Sequence, residues 1–186
     1  MTRTVIKISG YGGQGVITLA KLITAAVIMH SENLEATQTE SYGAAARGGS
    51  CWAEVVIDEE EIDYPRAVPG DIDIGIFFTD EAVDSFLKSI KKKGGTIIYD
   101  PLTIKKVRAK KTQTLYAVPA LETAKKEFNP VVANVIMFGA VLGLTNILKK
   151  EIGHKAVEGF VPKKAVDLNL KAFERGYQLG QELKVQ

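Results

Sequence analysis

The residues best placed to do chemistry begin at Gly10-Tyr11-Gly12-Gly13-Gln14-Gly15. An apolar stretch at 4–9 precedes them, with Val5, Ile6 and Ile8. Val16, Leu19, Ala20, Ile23, Ala26 and Val27 follow at helical spacing. That is strand, turn, helix. Glycines at such a turn let backbone N–H groups approach a phosphate at the helix N-terminus. The same spacing also serves tight turns that bind nothing. A dinucleotide site needs an acid at the end of the second strand, about twenty residues on. Glu35 has that spacing but lies near the start of the strand expected over 34–38, and Glu40 lies just past its end but comes late. A second group lies in the expected loop over 39–50: Ser41, Tyr42, Gly43, Arg47, Gly48 and Gly49. An arginine before two glycines presents a guanidinium beside accessible amides, which suits a phosphate or carboxylate. It can equally pair with a neighbouring acid. Long loops in compact domains tend to carry function, which tilts this one toward binding or subunit contact.

The elements that must hold these groups alternate. Residues 51–57 favour a strand, closed by the acidic turn at Asp58, Glu59, Glu60 and Glu61. A strand over 72–78 shows alternating Ile72, Ile74, Ile76 and Phe78. Thr79 and Asp80 can cap a helix that runs to Lys91, Lys92 and Lys93 and stops at Gly94, its charges matched to the helix dipole. Further strands are expected over 96–99 and 114–118. Asn129 and Pro130 start a long apolar helix to about Lys149, and Asp167 caps a last helix over 168–183. This order predicts one α/β domain over 1–186, a three-layer sandwich with a largely parallel, Rossmann-like central sheet. Gly139 and Gly143, four apart, let another backbone approach the apolar helix, which predicts close packing on the sheet or against another subunit.

Composition narrows the function. The chain has 186 residues, 46% hydrophobic and 25% charged, with 24 basic and 22 acidic residues and a net charge of +2. That balance argues against nucleic acid as the main partner. The cluster Lys105, Lys106, Arg108, Lys110 and Lys111 is a local exception, expected as a solvated hairpin or edge or as a site for an anionic partner. Cys51 is the single cysteine, and His30 and His154 lie far apart. No cysteine-built cluster or histidine-rich metal centre is expected from this chain alone. The apolar run 131–148 contains Asn134, Thr145 and Asn146, so a buried helix is expected rather than a membrane span. A reduced, cytoplasmic setting follows. Nucleophile-elbow, nucleotide P-loop and paired-cysteine motifs are absent from the sequence, so no catalytic residue is assigned.

The run GYGGQGV at 10–16, Ser41-Tyr42-Gly43 with Arg47-Gly48-Gly49, Asn134 with Gly139-Ala140, and Asn169 with Ala172-Phe173 and Gly176 together resemble one family. It is the gamma subunit or domain of the 2-oxoacid:ferredoxin oxidoreductases, and the likeness covers nearly the whole chain. Glu54-Val55-Val56-Ile57 looks most like the 2-oxoglutarate members, whereas Glu40 departs from many relatives. The resemblance implies a multisubunit enzyme that oxidatively decarboxylates a 2-oxoacid, forms the acyl-CoA and reduces ferredoxin. It implies thiamine diphosphate between alpha and beta subunits and iron–sulfur clusters in other chains, including a ferredoxin-like delta subunit where present. For this chain it implies an accessory role. Gly10, Gly12, Gly13, Gln14, Gly15, Ser41, Tyr42, Gly43, Arg47, Gly48 and Gly49 would face coenzyme A or the partner subunits. The isolated chain is expected to lack redox groups, and to self-associate or expose an apolar patch. A stand-alone NAD(P) oxidoreductase and a pure interaction module are the rival readings.

Overall fold

A computed structural model describes residues 3–43 and 49–185. Six strands form one sheet: β1 (Thr4–Tyr11), β2 (Glu35–Tyr42), β3 (Ser50–Asp58), β4 (Ile74–Phe77), β5 (Thr96–Tyr99) and β6 (Thr114–Ala117). Their spatial order is β2-β3-β1-β4-β5-β6. The pairs β1–β4, β4–β5 and β5–β6 are parallel, and β3 runs antiparallel to both β1 and β2. Only β3 therefore points the other way, and the sheet is mixed but mostly parallel. Helices are α1 (Val16–His30), α2 (Asp80–Phe86), α3 (Ala120–Glu127), α4 (Ala133–Thr145), α5 (Lys150–Phe160) and α6 (Val166–Val185).

The pleat sends alternate side chains to opposite faces. Ile6 and Ile8 of β1, Ala53, Val55 and Ile57 of β3, and Ile74 and Ile76 of β4 enter a large core with α1, α3, α4, α5 and α6. Val5, Val56, Phe77 and Ile97 turn to a smaller core under α2 and two loops. On that thinner face Lys7 and Glu54 form a buried ion pair at 2.8 Å. The Lys7 ammonium lies 3.4 Å from the Trp52 ring centroid and 4.2 Å from that of Phe86. Burial pushes the Lys7 pKa down, against the opposing pull of Glu54. Glu54 also accepts from Ala67 N at 3.1 Å, which ties the loop after β3 to the sheet.

Several sequence expectations change. The strand expected over 34–38 runs on to Tyr42, because the polar residues of β2 pair with β3 in full register. The loop expected over 39–50 thus shrinks to a hairpin connection closed by Gly43 N to Ser50 O at 2.8 Å. The helix expected to end at Lys93 stops at Phe86, with a 3-10 turn at Leu87–Ser89. Ile90 is needed in the smaller core, bridged to Ile72, so the chain leaves the helix to bury it. Lys91 then pairs with Asp73 at 2.7 Å and Asp71 at 3.2 Å rather than with a helix C-terminus. Thr79 does cap α2, accepting from Ala82 N at 3.2 Å. The apolar helix begins after a 3-10 turn at Pro130–Val132, with Asn129 accepting from Val131 N. It ends at Thr145, where Asn146 adopts a left-handed conformation with φ 53°. Residues 147–148 turn inward and α5 follows. Neither α3 nor α5 is among the elements expected from sequence.

Gly139 and Gly143 meet α6 of the same chain rather than the sheet. A Cβ on Gly143 would lie 2.6 Å from Tyr177 O, and one on Gly180 would lie 2.5 Å from Ala140 O. Gly139 and Gly176 approach the facing backbone more closely still. Two small-residue stripes, 139/143 and 176/180, interlock and bring the α4 and α6 backbones into direct contact.

Candidate functional site at the carboxyl ends of the strands

In open α/β sheets the crevice beyond the carboxyl ends of the strands, where strand order reverses, is where ligands bind. Here the order reverses between β1 and β4, whose following segments part to opposite faces. A cavity of about 760 Å³ opens at that point. Tyr11 to Thr18 line it after β1, Phe78 after β4, and Asp100 and Thr103 after β5. Leu121 of α3, Asn134 of α4, and Leu168 and Asn169 of α6 complete the wall. Four helices thus present their N-terminal turns to one space.

The turn itself is built by Gln14. Its side-chain oxygen accepts from Tyr11 N at 2.7 Å and its amide nitrogen donates to Phe78 O at 3.3 Å. The side chain predicted to meet a ligand therefore locks the turn to β4. Gly10 has no room for a Cβ, which would sit 2.6 Å from that Gln14 oxygen and 2.8 Å from Phe78 Cβ. Gly12 N donates to Gly49 O at 2.9 Å, so its amide joins the turn to the β2–β3 connection. Gly15 has φ +77°, and a Cβ there would fall 2.7 Å from Asn134 Cβ, Cγ and Nδ2. This glycine lets α4 close on α1. The amides of Gly13 and Gly15 make no hydrogen bond to the described residues. α1 has no side-chain cap and no acid in its first turn. Uncapped N–H groups at the positive end of a fifteen-residue helix suit an anion.

Asp100 is the one charged side chain among the described lining residues, and it faces inward at 1% exposure. It accepts from Leu102 N at 2.9 Å and from Leu121 N at 2.8 Å. The carboxylate thereby caps α3 from outside the helix, whose own Pro119 supplies no cap. Burial raises its pKa, outweighing those two donors. The Cys51 thiol also lines the cavity, and burial raises its pKa as well, the opposite of what a nucleophilic thiolate needs. At the rim a hydrogen bond to Glu81 raises the pKa of the Tyr11 hydroxyl. Tyr11, Tyr42, Val131 and Phe160 all leave apolar surface exposed around the opening.

The structure thus gathers Gly12, Gly13, Gln14, Gly15 and Tyr42 at one cavity, with Gly10 packed behind the turn against Gln14 and Phe78 and Gly49 bonded to Gly12. Ser41, opposite Trp52, and Gly43, opposite Ser50, hold the hairpin beside it. Arg47 and Gly48 lie outside the described residues. Asp100 and Leu121 escape sequence reasoning. A lone aspartate followed by proline after a short strand reads as an ordinary turn, and only the sheet order brings it beneath the glycine turn. No group of three or more His, Cys, Asp or Glu among the described residues is placed to hold a metal. No helix among them is long and apolar enough to cross a membrane.

The dinucleotide reading fails on topology. In that arrangement the second strand lies beside the first, so its terminal acid reaches the ribose. Here β3 intervenes, and β2 lies two strand spacings from β1, about 10 Å away. Glu40 accepts from Gln38 at 2.8 Å and faces Lys21 at 3.9 Å.

Residues 5–179 match the pyruvate ferredoxin/flavodoxin oxidoreductase family. The chain is 38% identical to the 2-oxoglutarate synthase subunit KorC of Methanocaldococcus jannaschii, over 97% of this chain and 96% of that one. It superposes with TM-score 0.82 and 32% identity on the gamma subunit of a keto/oxoacid ferredoxin oxidoreductase from Geobacter sulfurreducens, covering 96% and 99% of the two chains. A fold likeness at TM-score 0.84 and 23% identity joins 98% of it to 32% of a chain from Magnetococcus marinus. That chain is a 2-oxoglutarate:ferredoxin oxidoreductase, solved with 2-oxoglutarate, coenzyme A and succinyl-CoA bound. With the cavity at the strand ends and a likeness that runs from end to end, this chain belongs to the pyruvate ferredoxin/flavodoxin oxidoreductase family.

Proposed function

We propose that this chain is the gamma subunit of a cytoplasmic 2-oxoglutarate:ferredoxin oxidoreductase, working with alpha and beta subunits that hold the thiamine diphosphate and with iron–sulfur clusters in other chains. The observation that carries the reading is the full-length 38% identity to a 2-oxoglutarate synthase subunit. One cysteine, and that one buried, cannot supply the ligand set of a cluster, so this reading places the clusters in other chains. What the chain offers is a cavity whose Gly13 and Gly15 amides are unbonded among the described residues, an uncapped helix terminus and an apolar rim. Such a wall fits the phosphate-bearing, partly apolar coenzyme A that the enzyme consumes, with the rim covered by the partner subunits. Arg47, which lies outside the described residues, is the cation that this reading assigns to the coenzyme A phosphates.

Co-expression with alpha and beta chains tests this. The expected result is a stable complex that reduces ferredoxin with 2-oxoglutarate and coenzyme A, faster than with pyruvate or a branched-chain oxoacid, and only when this chain is present. A chain that ignores its partners, or a complex equally active without it, would overturn the proposal. Arg47→Lys separates binding from folding. Losing a bidentate, charge-assisted contact typically costs about 1.5–3 kcal/mol, roughly ten- to a hundred-fold in an equilibrium. The KM for coenzyme A should rise by that factor while the melting temperature of the isolated chain stays unchanged.

A further inference from the structure

The thinner face of the sheet carries a second cavity, of about 870 Å³. One wall is the irregular segment 105–113, which is held at both ends. Asp80 accepts from Lys105 N at 3.2 Å. At the other end Gln113 accepts from Lys110 N at 2.9 Å and donates to Lys91 O at 2.9 Å, and the Thr112 hydroxyl donates to Lys92 O. Val107 and Ala109 pack toward the smaller core. Their neighbours Lys106, Arg108 and Lys110 alternate with them, are exposed, and line the cavity. Lys88 and Lys92 line it from the other side, with half-buried Leu87 as the apolar floor and Val83 and Ile90 buried beneath it. Asp84 is the single acid in the lining. Among the described residues no ion pair engages any of the five cations, whereas Lys91 and Lys126 close by in sequence are both paired.

A chain of net charge +2 has no general need to gather five unpaired cations around one acid. Convergence of like charges from two elements onto a concave, partly apolar surface focuses a positive potential there. Exposed cations alternating with core-facing Val107 and Ala109 mark an extended course, in which alternate residues stand about 6.6 Å apart, so an anion with several phosphates fits the row better than a single phosphate. The volume lies in the range of organic-ligand sites, about 300–1,000 Å³. Charge alone would need no apolar floor, and an apolar ligand would need no cations. We propose that this cavity binds a nucleoside polyphosphate, its base against Leu87 and the aliphatic stems of Lys88 and Lys92 and its phosphates along Lys106, Arg108 and Lys110. The inference is independent of the role assigned to the glycine turn on the other side of the sheet.

Calorimetric titration of the full chain with ATP, and separately with inorganic tripolyphosphate, tests it. ATP should bind with a sub-millimolar Kd, about ten-fold or more tighter than tripolyphosphate, since only ATP covers the floor. Arg108→Glu with Lys110→Glu should weaken ATP at least ten-fold, and Arg108→Gln with Lys110→Gln should do so in part. Both variants should keep the wild-type melting temperature and the coenzyme A dependence of the assembled enzyme. Absence of ATP binding, ATP binding that survives both variants, or tripolyphosphate binding as tightly as ATP would each overturn the proposal. So would variants that impair only assembly with the partner subunits, which would make the patch an interface. Failure here would leave the coenzyme A reading standing, because none of these residues touches that cavity.

Discussion

The same substitution, glycine to alanine, should have opposite signs at two helical positions, and the structure says which is which. Replacing glycine by alanine inside a helix removes unfolded-state freedom and is worth about 0.5–1 kcal/mol of stability. Gly159 lies near the end of α5, where a Cβ would meet no atom within 4 Å, so only that gain remains, about 0.5 kcal/mol there. Gly180 lies in α6 against α4, where a Cβ would stand 2.5 Å from Ala140 O and 3.1 Å from Ala140 C and Cα. A relaxed carbon–oxygen contact is about 3.3 Å, so the helices must part by about 0.8 Å. The obstacle is backbone, which cannot rotate aside. Overpacking of this kind costs about 1–3 kcal/mol. It also loosens the close contacts at Gly139, Gly143 and Gly176. The loss exceeds the propensity gain, and Gly180→Ala should be destabilised by about 1–2 kcal/mol net. For a chain of this size 1 kcal/mol moves the melting temperature by about 2–4 °C. Gly159→Ala should therefore melt about 1–2 °C higher than wild type and Gly180→Ala about 2–8 °C lower. Thermal melts and urea titrations of the isolated chain read both, with an unchanged m-value confirming that the shift is in stability. A Gly180→Ala chain melting at or above wild type would refute the claim that the interlocked glycines set the α4–α6 spacing. Since Asn134 and Asn169 hang from those two helices into the first cavity, that spacing also shapes the candidate site.

Lys7→Met leaves Glu54 buried without its cation and should destabilise by about 3–5 kcal/mol, whereas Lys7→Met with Glu54→Gln should recover most of the loss; a double-mutant cycle that adds without coupling would show the pair to be incidental. Gly13→Ala and Gly15→Ala share a left-handed backbone, at φ +95° and +77°, so each should lose about 1–2 kcal/mol from conformation. Only Gly15→Ala also drives a Cβ into Asn134, and it should be the less stable of the two by denaturant titration. Asp100→Asn keeps one acceptor for two backbone N–H groups and should be less stable by about 1–3 kcal/mol at pH 7. Because burial raises the Asp100 pKa above its ordinary 3.8, the native state holds more protons than the unfolded state between those two values. Its contribution to stability is therefore largest below 3.8 and declines as pH rises through that window. The deficit of the asparagine variant should widen on acidification from about pH 7 to about pH 4, and a deficit that narrows would contradict the assigned shift.

The strand–glycine turn–helix at 4–27, the caps at Thr79 and Asn129, and the α/β class are legible in the sequence because each is local. An apolar strand, a glycine at a left-handed φ and a side-chain cap are specified within a few residues of one another. Where the local signals are weak, the sequence misleads: Asn146 ends a helix without glycine or proline, and α3 is too short to show a periodicity. The antiparallel β3 between β1 and β2, the role of Gln14 as a clasp on Phe78, Asp100 under α3 and the α4–α6 glycine contact are decided only by tertiary structure. The contacts involved are distant in sequence, as with Gln181 to Gly143, 38 positions apart, and Gln14 to Phe78, 64 apart. The number of ways to close such loops is large, and their closure entropy distinguishes them only weakly. Which pairs form is settled by the simultaneous burial of both faces of the sheet. Lys91 shows the difference most simply. Its place near the end of an expected helix suggests a dipole partner, and the demand to bury Ile90 gives it Asp73 instead.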